Sequence, residues 1–490
     1  MTGLENIRTA FNGSVQFEAR PEQLTSNSGA LVLRQIIESL GLRCWFESVL
    51  RDPRNQQLIT HPFLELLWTI IILFAQGFHN LDDADFLRHD AAMKLAVSLR
   101  RGTAPLQRTE PPPQGRWPSR NPAQPDGLPS QPTLSRLLSA LSSAHNRQGL
   151  RQSLLEVAAR RLRALHGGRR LSHVTIDVDS LPIEVHGSQE GSAYNGHYHA
   201  RIFHPLVASI GETGDLLDMK LREGTAHTAA GGLDFLLPLL DQIESKLCDV
   251  ASVRIDAGFP EEKLLAALEQ RQTGYVARIK NNAVLDRMAQ PFLKPSAGPR
   301  AQEPRTWLHE MTYQAQSWSR ARRVVLVVIE RPGELFPNHF WLITNWTVNQ
   351  MSAEDLLALY RRRGVAEGHY GELMSVLHPA LSSAVRTKKH YRGQTPVQRS
   401  VPIQPFANNE VLMLLHGLAY NVMHAARVWM EQASGRGWGL QRFRDMVLRA
   451  PARVMVHARR AMVVLGEATA PLWQALWSRM MALPLLPEPG

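Results

Sequence analysis

The 490-residue sequence predicts an α/β fold in which a mixed sheet is flanked by helices. Three observations carry that prediction. From residue 171 the apolar pattern switches to period two and then alternates with helical stretches, in the order three strands, helix, strand, helix, strand. Two of the predicted strands end in an aspartate, Asp179 and Asp256. A long helix, Ser352 to His378, follows a further β-rich stretch and carries Tyr360, Arg363 and Glu367 at spacings of three and four, hence on one helix face.

The totals bound the rest. A hydrophobic share of 44% and a charged share of 20% describe an ordinary globular chain with ample core. At roughly 150 residues per domain, two to four domains are expected. The net charge of +11 favours polyanionic partners, nucleic acid first. Cys44 and Cys248 are the only cysteines, which excludes a disulfide framework and a four-cysteine zinc site and fits a reducing cytoplasm. The polar N-terminus lacks a signal core. The most apolar run, Leu64 to Phe74, is about half the ~20 residues of a membrane helix, so no membrane association is expected.

Taken in order, residues 1–101 read as a helical N-terminal domain, with helices over 29–40, 62–78 and 82–99. This region is the expected DNA-end-binding part. Residues 102–132 are rich in proline and arginine and read as a basic linker or loop. A helical hairpin over 133–170 leads into the core. Strands are expected at 173–179, 199–209 and 216–222, the last two joined through Gly211-Glu-Thr-Gly214. A helix over 233–246, a strand at 253–256, a helix from Pro260 and a strand at 274–279 follow. Residues 285–350 read as a β-rich insertion, and 431–490 as a helical C-terminal region. Four tryptophans of the insertion (Trp307, Trp318, Trp341 and Trp346) suit a small β core or stacking on an unpaired base.

The run His173-Val-Thr-Ile-Asp-Val-Asp179 points to chemistry. Val174, Ile176 and Val178 face one side of the strand, and Thr175, Asp177 and Asp179 the other. A desolvated carboxylate costs several kcal/mol unless paired, so two acids on one face near a strand end suggest a cation with oxygen ligands. Magnesium suits such ligands, and two divalent ions about 3.5–4 Å apart can neutralise the attacking and leaving oxygens of a phosphodiester. The pair His197 and His199 lacks a third zinc ligand at usual spacing. Arg363 has the planar fork that grips phosphate bidentately, and Tyr360 can bond the same strand. Arg278 and Lys280, at the end of their strand, are further DNA-binding candidates.

Strand–Asp, strand–Asp and helix–Glu, in this order and with a β insertion before the helix, resemble the DDE transposases of bacterial insertion sequences. The helix is similar to the branch with the signature Y-x2-R-x3-E-x6-K, with Tyr360, Arg363 and Glu367 in the first three places and Met374 in that of the lysine. Other segments resemble the same family: Asp177-Val-Asp179, His186-Gly-Ser-Gln-Glu-Gly191, Tyr194-Asn-Gly-His-Tyr198, Arg254-Ile-Asp-Ala-Gly-Phe259, Phe406-Ala-Asn-Asn409 and Ala419-Tyr-Asn421. The resemblance implies a ribonuclease H-like catalytic domain over 171–284 and 351–430. It implies Asp179, Asp256 and Glu367 as catalytic, metal-binding residues, with Asp177 as the alternative to Asp179, and two Mg2+ (or Mn2+) ions as cofactors. The implied activity is hydrolysis of a strand at each end of the mobile element, joining of the freed 3′-hydroxyl to target DNA, and a hairpin intermediate. Its partners would be inverted-repeat ends and target DNA, engaged by a homodimer on the bacterial nucleoid. Methionine cannot supply a lysine's charge at position 374, and Lys388, Lys389 or Arg392 are the replacements at hand. The departure leaves room for a catalytically inactive DNA-binding derivative, or for a nuclease without strand transfer.

Overall fold

In the computed structural model the β-branched run His173–Ser180 (β1) lies inside an eight-stranded sheet. The structure describes residues 10–12, 14–15, 22–107, 127–187, 189–293, 302–383, 405–457 and 459–482. Most of the expected basic linker lies outside them, as do Lys388, Lys389 and Arg392. Two compact units are formed, one from 1–36, 54–134 and 426–480, the other from 37–53, 135–425 and 481–490.

The second unit holds the sheet. Its further strands are Leu206–Ile210 (β2), Leu216–Lys220 (β3), Asp249–Ile255 (β4), Gly274–Ile279 (β5), Arg305–Tyr313 (β6), Arg322–Glu330 (β7) and Asn338–Thr344 (β8). They stand in the order β6-β7-β8-β5-β4-β1-β2-β3. β2 is antiparallel to β1 and to β3, whereas β4 runs parallel to both β1 and β5. The run β3-β2-β1-β4-β5 is a ribonuclease H-like sheet. The β-rich stretch over 285–350 adds β6, β7 and β8 to the free edge of β5, all antiparallel, so its strands and those of the core form one continuous sheet.

Helices cover both faces. Ala144–Leu165 (α1), Gly232–Lys246 (α2) and Glu262–Gln270 (α3) pack on one, where Leu155, Leu240 and Leu265 meet Val174, Ile176, Val178 and the wholly buried Trp341. Ala353–Arg361 (α4) covers the other through Leu356 and Leu357, against Val276, Val325 and Leu342. The tryptophans divide accordingly: Trp341 and Trp318 are buried, and Trp307 remains partly exposed.

Several expectations meet a local correction. The strand expected over 199–209 is two strands, because Pro205 has no N–H for a ladder. Ala200–Phe203 joins Ile183–Glu184 and Ala193–Asn195 in a separate three-stranded sheet, and β2 starts after the proline. The helix expected over 352–378 begins as read, with Ser352 Oγ accepting from Asp355 N at 3.1 Å. It then breaks at Arg362 into α4 and a second piece, Arg363–Glu372 (α5), followed by a π-helical turn over Leu373–Leu377. Gly364, Gly368 and Gly371 lower the helix propensity of that second piece. Beyond it, Pro405–Ser434 (α6) supplies Asn421, whose amide accepts from Leu216 N (3.0 Å) and donates to Leu216 O (2.8 Å) and Leu154 O (3.2 Å).

In the first unit the helix Phe63–Ala75 is buried almost along its whole length, as its apolar run implies. The helix expected over 82–99 is two, Asp83–Phe86 and Ala91–Val97, because Asp90 caps the second by accepting from Met93 N at 2.9 Å. The C-terminal region, expected to be helical, also contains the hairpin Ala452–His457 and Arg460–Leu465, which pairs with Gln23–Thr25. Val454-Met-Val456 and Ala461-Met-Val-Val-Leu465 are short, valine-rich apolar runs, which suit strands as well as helices. No helix among the described residues is long and apolar enough to cross a membrane.

An ion cluster joins the added strands to the core. Arg322 on β7 donates to Glu262 (2.5 Å) and to Glu269 (2.8 and 3.1 Å), both on α3. Hydrogen bonds from Arg322 and Ser319 hold the Glu262 carboxyl at about 2, below its usual 4.5. Because the folded value is depressed, the stabilisation is complete above about pH 4.5 and fades as pH falls toward 2. Glu262→Gln should therefore lower the urea midpoint of unfolding at pH 6, with the difference from wild type shrinking at pH values near 3. A pH-independent difference would contradict this assignment.

Candidate active site

Strand periodicity sends Thr175, Asp177 and Asp179 to the face of β1 opposite α1, α2 and α3, and the two aspartates meet different fates. Asp177 is 1% exposed. Its carboxylate accepts from Arg254 of β4 twice, from Nε at 2.7 Å and from Nη2 at 2.5 Å. The third arm of the guanidinium, Nη1, donates to Leu359 O of α4 at 3.1 Å. Gly211, just past β2, lies against this pair: a Cβ there would stand 2.3 Å from Arg254 Nη2 and 2.8 Å from Asp177 Oδ2, so a larger residue would have to displace the ion pair.

Asp179, two residues on, lines an open cleft of about 560 Å³. Asp256, just beyond β4, and Glu367, on α5, line it too. Arg363, Tyr360, Arg278, Phe340 and Tyr198 form the remaining walls with Ser180 and residues of the α4–α5 junction. Arg363 stands between two of the acids, its Nη2 donating to Asp179 Oδ2 at 2.5 Å and its Nη1 to Glu367 Oε1. Asp179 also accepts from Ser180 N at 2.8 Å. The face of α5 is fixed a turn later, where the Tyr370 hydroxyl and Ser209 Oγ of β2 share a hydrogen bond of 2.8 Å. Behind Tyr360, the Phe340 ring lies 6.3 Å away and carries the Arg278 guanidinium at 5.1 Å.

Crowded charge sets the electrostatics. Burial pushes the Asp179 carboxyl up to about 6, against the pull of Arg363, and the like charges of Asp256 and Glu367 add to the rise. Burial opposes the charge of Arg363, but Asp179 and Asp256 more than offset it and raise its affinity for a proton. The Tyr198 phenol is pushed up by burial and by Asp179 and Asp256, which keeps it a hydrogen-bond donor at neutral pH.

The cleft thus brings together Asp179, Asp256, Glu367, Tyr360, Arg363 and Arg278. Asp177 is taken up by Arg254, and Lys280, exposed beyond the end of β5, is not part of the walls. Met374 is half-buried in the π-helical turn. Tyr198 and Phe340 were not singled out as site residues from the sequence. Tyr198 does close the segment Tyr194-Asn-Gly-His-Tyr198, and the next residue, His199, has a φ of +53°, a strain that often marks functional turns. Nothing in the local pattern distinguishes Phe340.

Three carboxylates without thiolate are the donor set of a hard divalent cation. Among the described residues, however, no three His, Cys, Asp or Glu side chains are already gathered as ligands. Asp179 and Glu367 are instead bridged by the Arg363 guanidinium, so the donors fit such an ion once Arg363 moves off them.

A family model described as transposase DDE domain group 1 matches residues 7–487. The chain belongs to this family. As a DDE transposase-domain protein it falls among proteins of transposition and DNA recombination, with DNA as partner. The expectation of a DDE transposase is met at this level. Among solved structures, a cryo-EM structure of a piggyBac transposase synaptic complex with hairpin DNA aligns at a TM-score of 0.37 and 11% identity, over 94% of this chain and 82% of that one. No curated protein matches the chain.

The contrast between the two aspartates of β1 is measurable. Arg254→Met, which strands the Asp177 carboxylate in the core, should cost about 3–5 kcal/mol of unfolding free energy in urea titrations. Asp177→Leu combined with Arg254→Met should recover much of that loss. Unchanged stability of the single variant would contradict the structural role of the pair.

Proposed function

We propose that this chain is the transposase of a bacterial insertion sequence, of the branch with a Y-R-E-K helix. It hydrolyses one strand at each end of its element and joins the freed 3′-hydroxyl to target DNA. The observation that carries this reading is the meeting, in one cleft, of Asp179 and Asp256 from two strand ends with Glu367 from the closing helix. Asp179, Asp256 and Glu367 would hold two Mg2+ or Mn2+ ions, which supply charge neutralisation at the attacking and leaving oxygens. Arg363, freed from Asp179 and Glu367, would take a phosphate of the bound strand through its planar fork. Tyr360 and Arg278 line the same wall and would hold that strand in place. The Tyr198 phenol adds a donor beside the acids. Because two ends are processed together, the working form is a homodimer on DNA, in the cytoplasm with the nucleoid.

Met374 in the lysine position favours a second reading, a DNA-binding derivative that no longer cuts. A strand-transfer assay with Mg2+ and the DNA flanking the coding region separates the readings. Cutting and joining support the transposase, binding without cutting the derivative, and cutting without joining a nuclease.

Asp256→Asn should abolish cleavage while leaving binding of end DNA largely intact; lost binding or undiminished cutting would remove Asp256 from the site. Arg363→Ala should weaken binding and lower the slope of log affinity against log salt by about one unit, the contribution of one phosphate contact. An unchanged slope would mean that Arg363 serves only its two carboxylates.

A further inference from the structure

The arginines of the first unit are unevenly placed. Between Gly435 and Leu465 the sequence has seven arginines against one carboxylate, Asp445, a net charge of +6 where the whole chain has +11. Five of the seven are exposed; Arg449 donates to Gln76 O, and the side chains of the other four, Arg436, Arg442, Arg459 and Arg460, have no carboxylate partner among the described residues.

Their settings differ. Arg436 and Arg442 stack on the ring of Trp438, with guanidinium carbons 4.8 and 5.1 Å from its centroid. The indole is itself buried, donates Nε1–H to Ser434 Oγ at 2.9 Å and packs edge-on to Phe443. Stacking of this kind fixes the two cations at the surface without neutralising them. Arg459 and Arg460 stand where the strands Ala452–His457 and Arg460–Leu465 are joined, Arg459 with a φ of +66°. A two-stranded ribbon is of a size to enter the major groove of B-DNA, about 12 Å wide, and arginines without counterions are the side chains that displace ions from phosphates.

We propose that these two arginine pairs bind duplex DNA, with the hairpin end entering a groove so that Arg459 and Arg460 meet its flanking phosphates, and with Arg436 and Arg442 on further phosphates. The inference rests on the transposase reading, and it moves the duplex contact from the helices of 1–101, where the sequence suggested it, to the C-terminal part of the chain.

The test uses the full-length protein and fluorescence anisotropy at several salt concentrations. One probe is a labelled duplex of the DNA flanking the coding region, the other a random-sequence duplex of the same length. The quadruple variant R436A/R442A/R459A/R460A should bind both at least about tenfold more weakly at fixed salt, with a salt slope smaller by about three to four units. The corresponding four lysine replacements should keep the slope while losing part of the affinity. If stacking on Trp438 proves necessary for folding, R459A/R460A alone, which touches no ring, should lower the slope by about two units. Wild-type affinity and slope in the alanine variants would overturn this inference and leave the transposase reading standing. Failure of the wild-type protein to bind either duplex would overturn both.

Discussion

The buried pair of Asp177 and Arg254 is the contact on which the arrangement of the cleft depends. It crosses from β1 to β4 at the level where both strands end, and through Leu359 O it also grips α4. Those three elements carry Asp179, Asp256 and, through the junction at Arg362, Glu367. A bidentate guanidinium–carboxylate contact has little tolerance in angle, so registering Asp177 against Arg254 also registers Asp179 and Asp256, each two residues further on. The glycine at 211 belongs to the same constraint, since any side chain there would enter the space of the ion pair.

Two carboxylates on one face of one strand therefore divide their labour. Desolvation makes an unpaired buried acid costly, and the first is paired off completely within the core. The second stands at the rim, where the cation that reaches it among the described residues is Arg363 on the closing helix. The i,i+4 spacing of Arg363 and Glu367 that reads as an ordinary helix pair is present. It is drawn into the cleft because the same guanidinium also reaches Asp179. The surface salt bridge and the site residue are one and the same side chain.

Much of this was legible in the sequence. Alternation along 173–179, the aspartates closing two strands and the 360–363–367 spacing are local patterns; burial of one strand face enforces the first, and all three helical residues still line the cleft although the helix breaks at Arg362. The partner of Asp177 was not legible, since Arg254 lies 77 residues away and only the parallel pairing of β1 with β4 brings them together. The continuity of β6, β7 and β8 with β5 was hidden for the same reason: edge pairing leaves no mark on the strand that offers the edge. Phe340 reads as one more core aromatic until β8 is placed beside β5. The break at Arg362 falls beside three closely spaced glycines, and the hairpin at 452–465 falls on short valine-rich runs, which periodicity alone does not separate from helix.

The bridging arginine has a consequence for biogenesis. Many small metalloproteins stay unfolded until their ion arrives, because ion binding supplies the free energy that gathers the ligands. Here the polypeptide carries its own temporary counterion, so a newly made chain can assemble this pocket without waiting for cation supply. On the proposed reading, uptake of a divalent ion is then an exchange between two positive groups, governed by how readily that side chain swings aside.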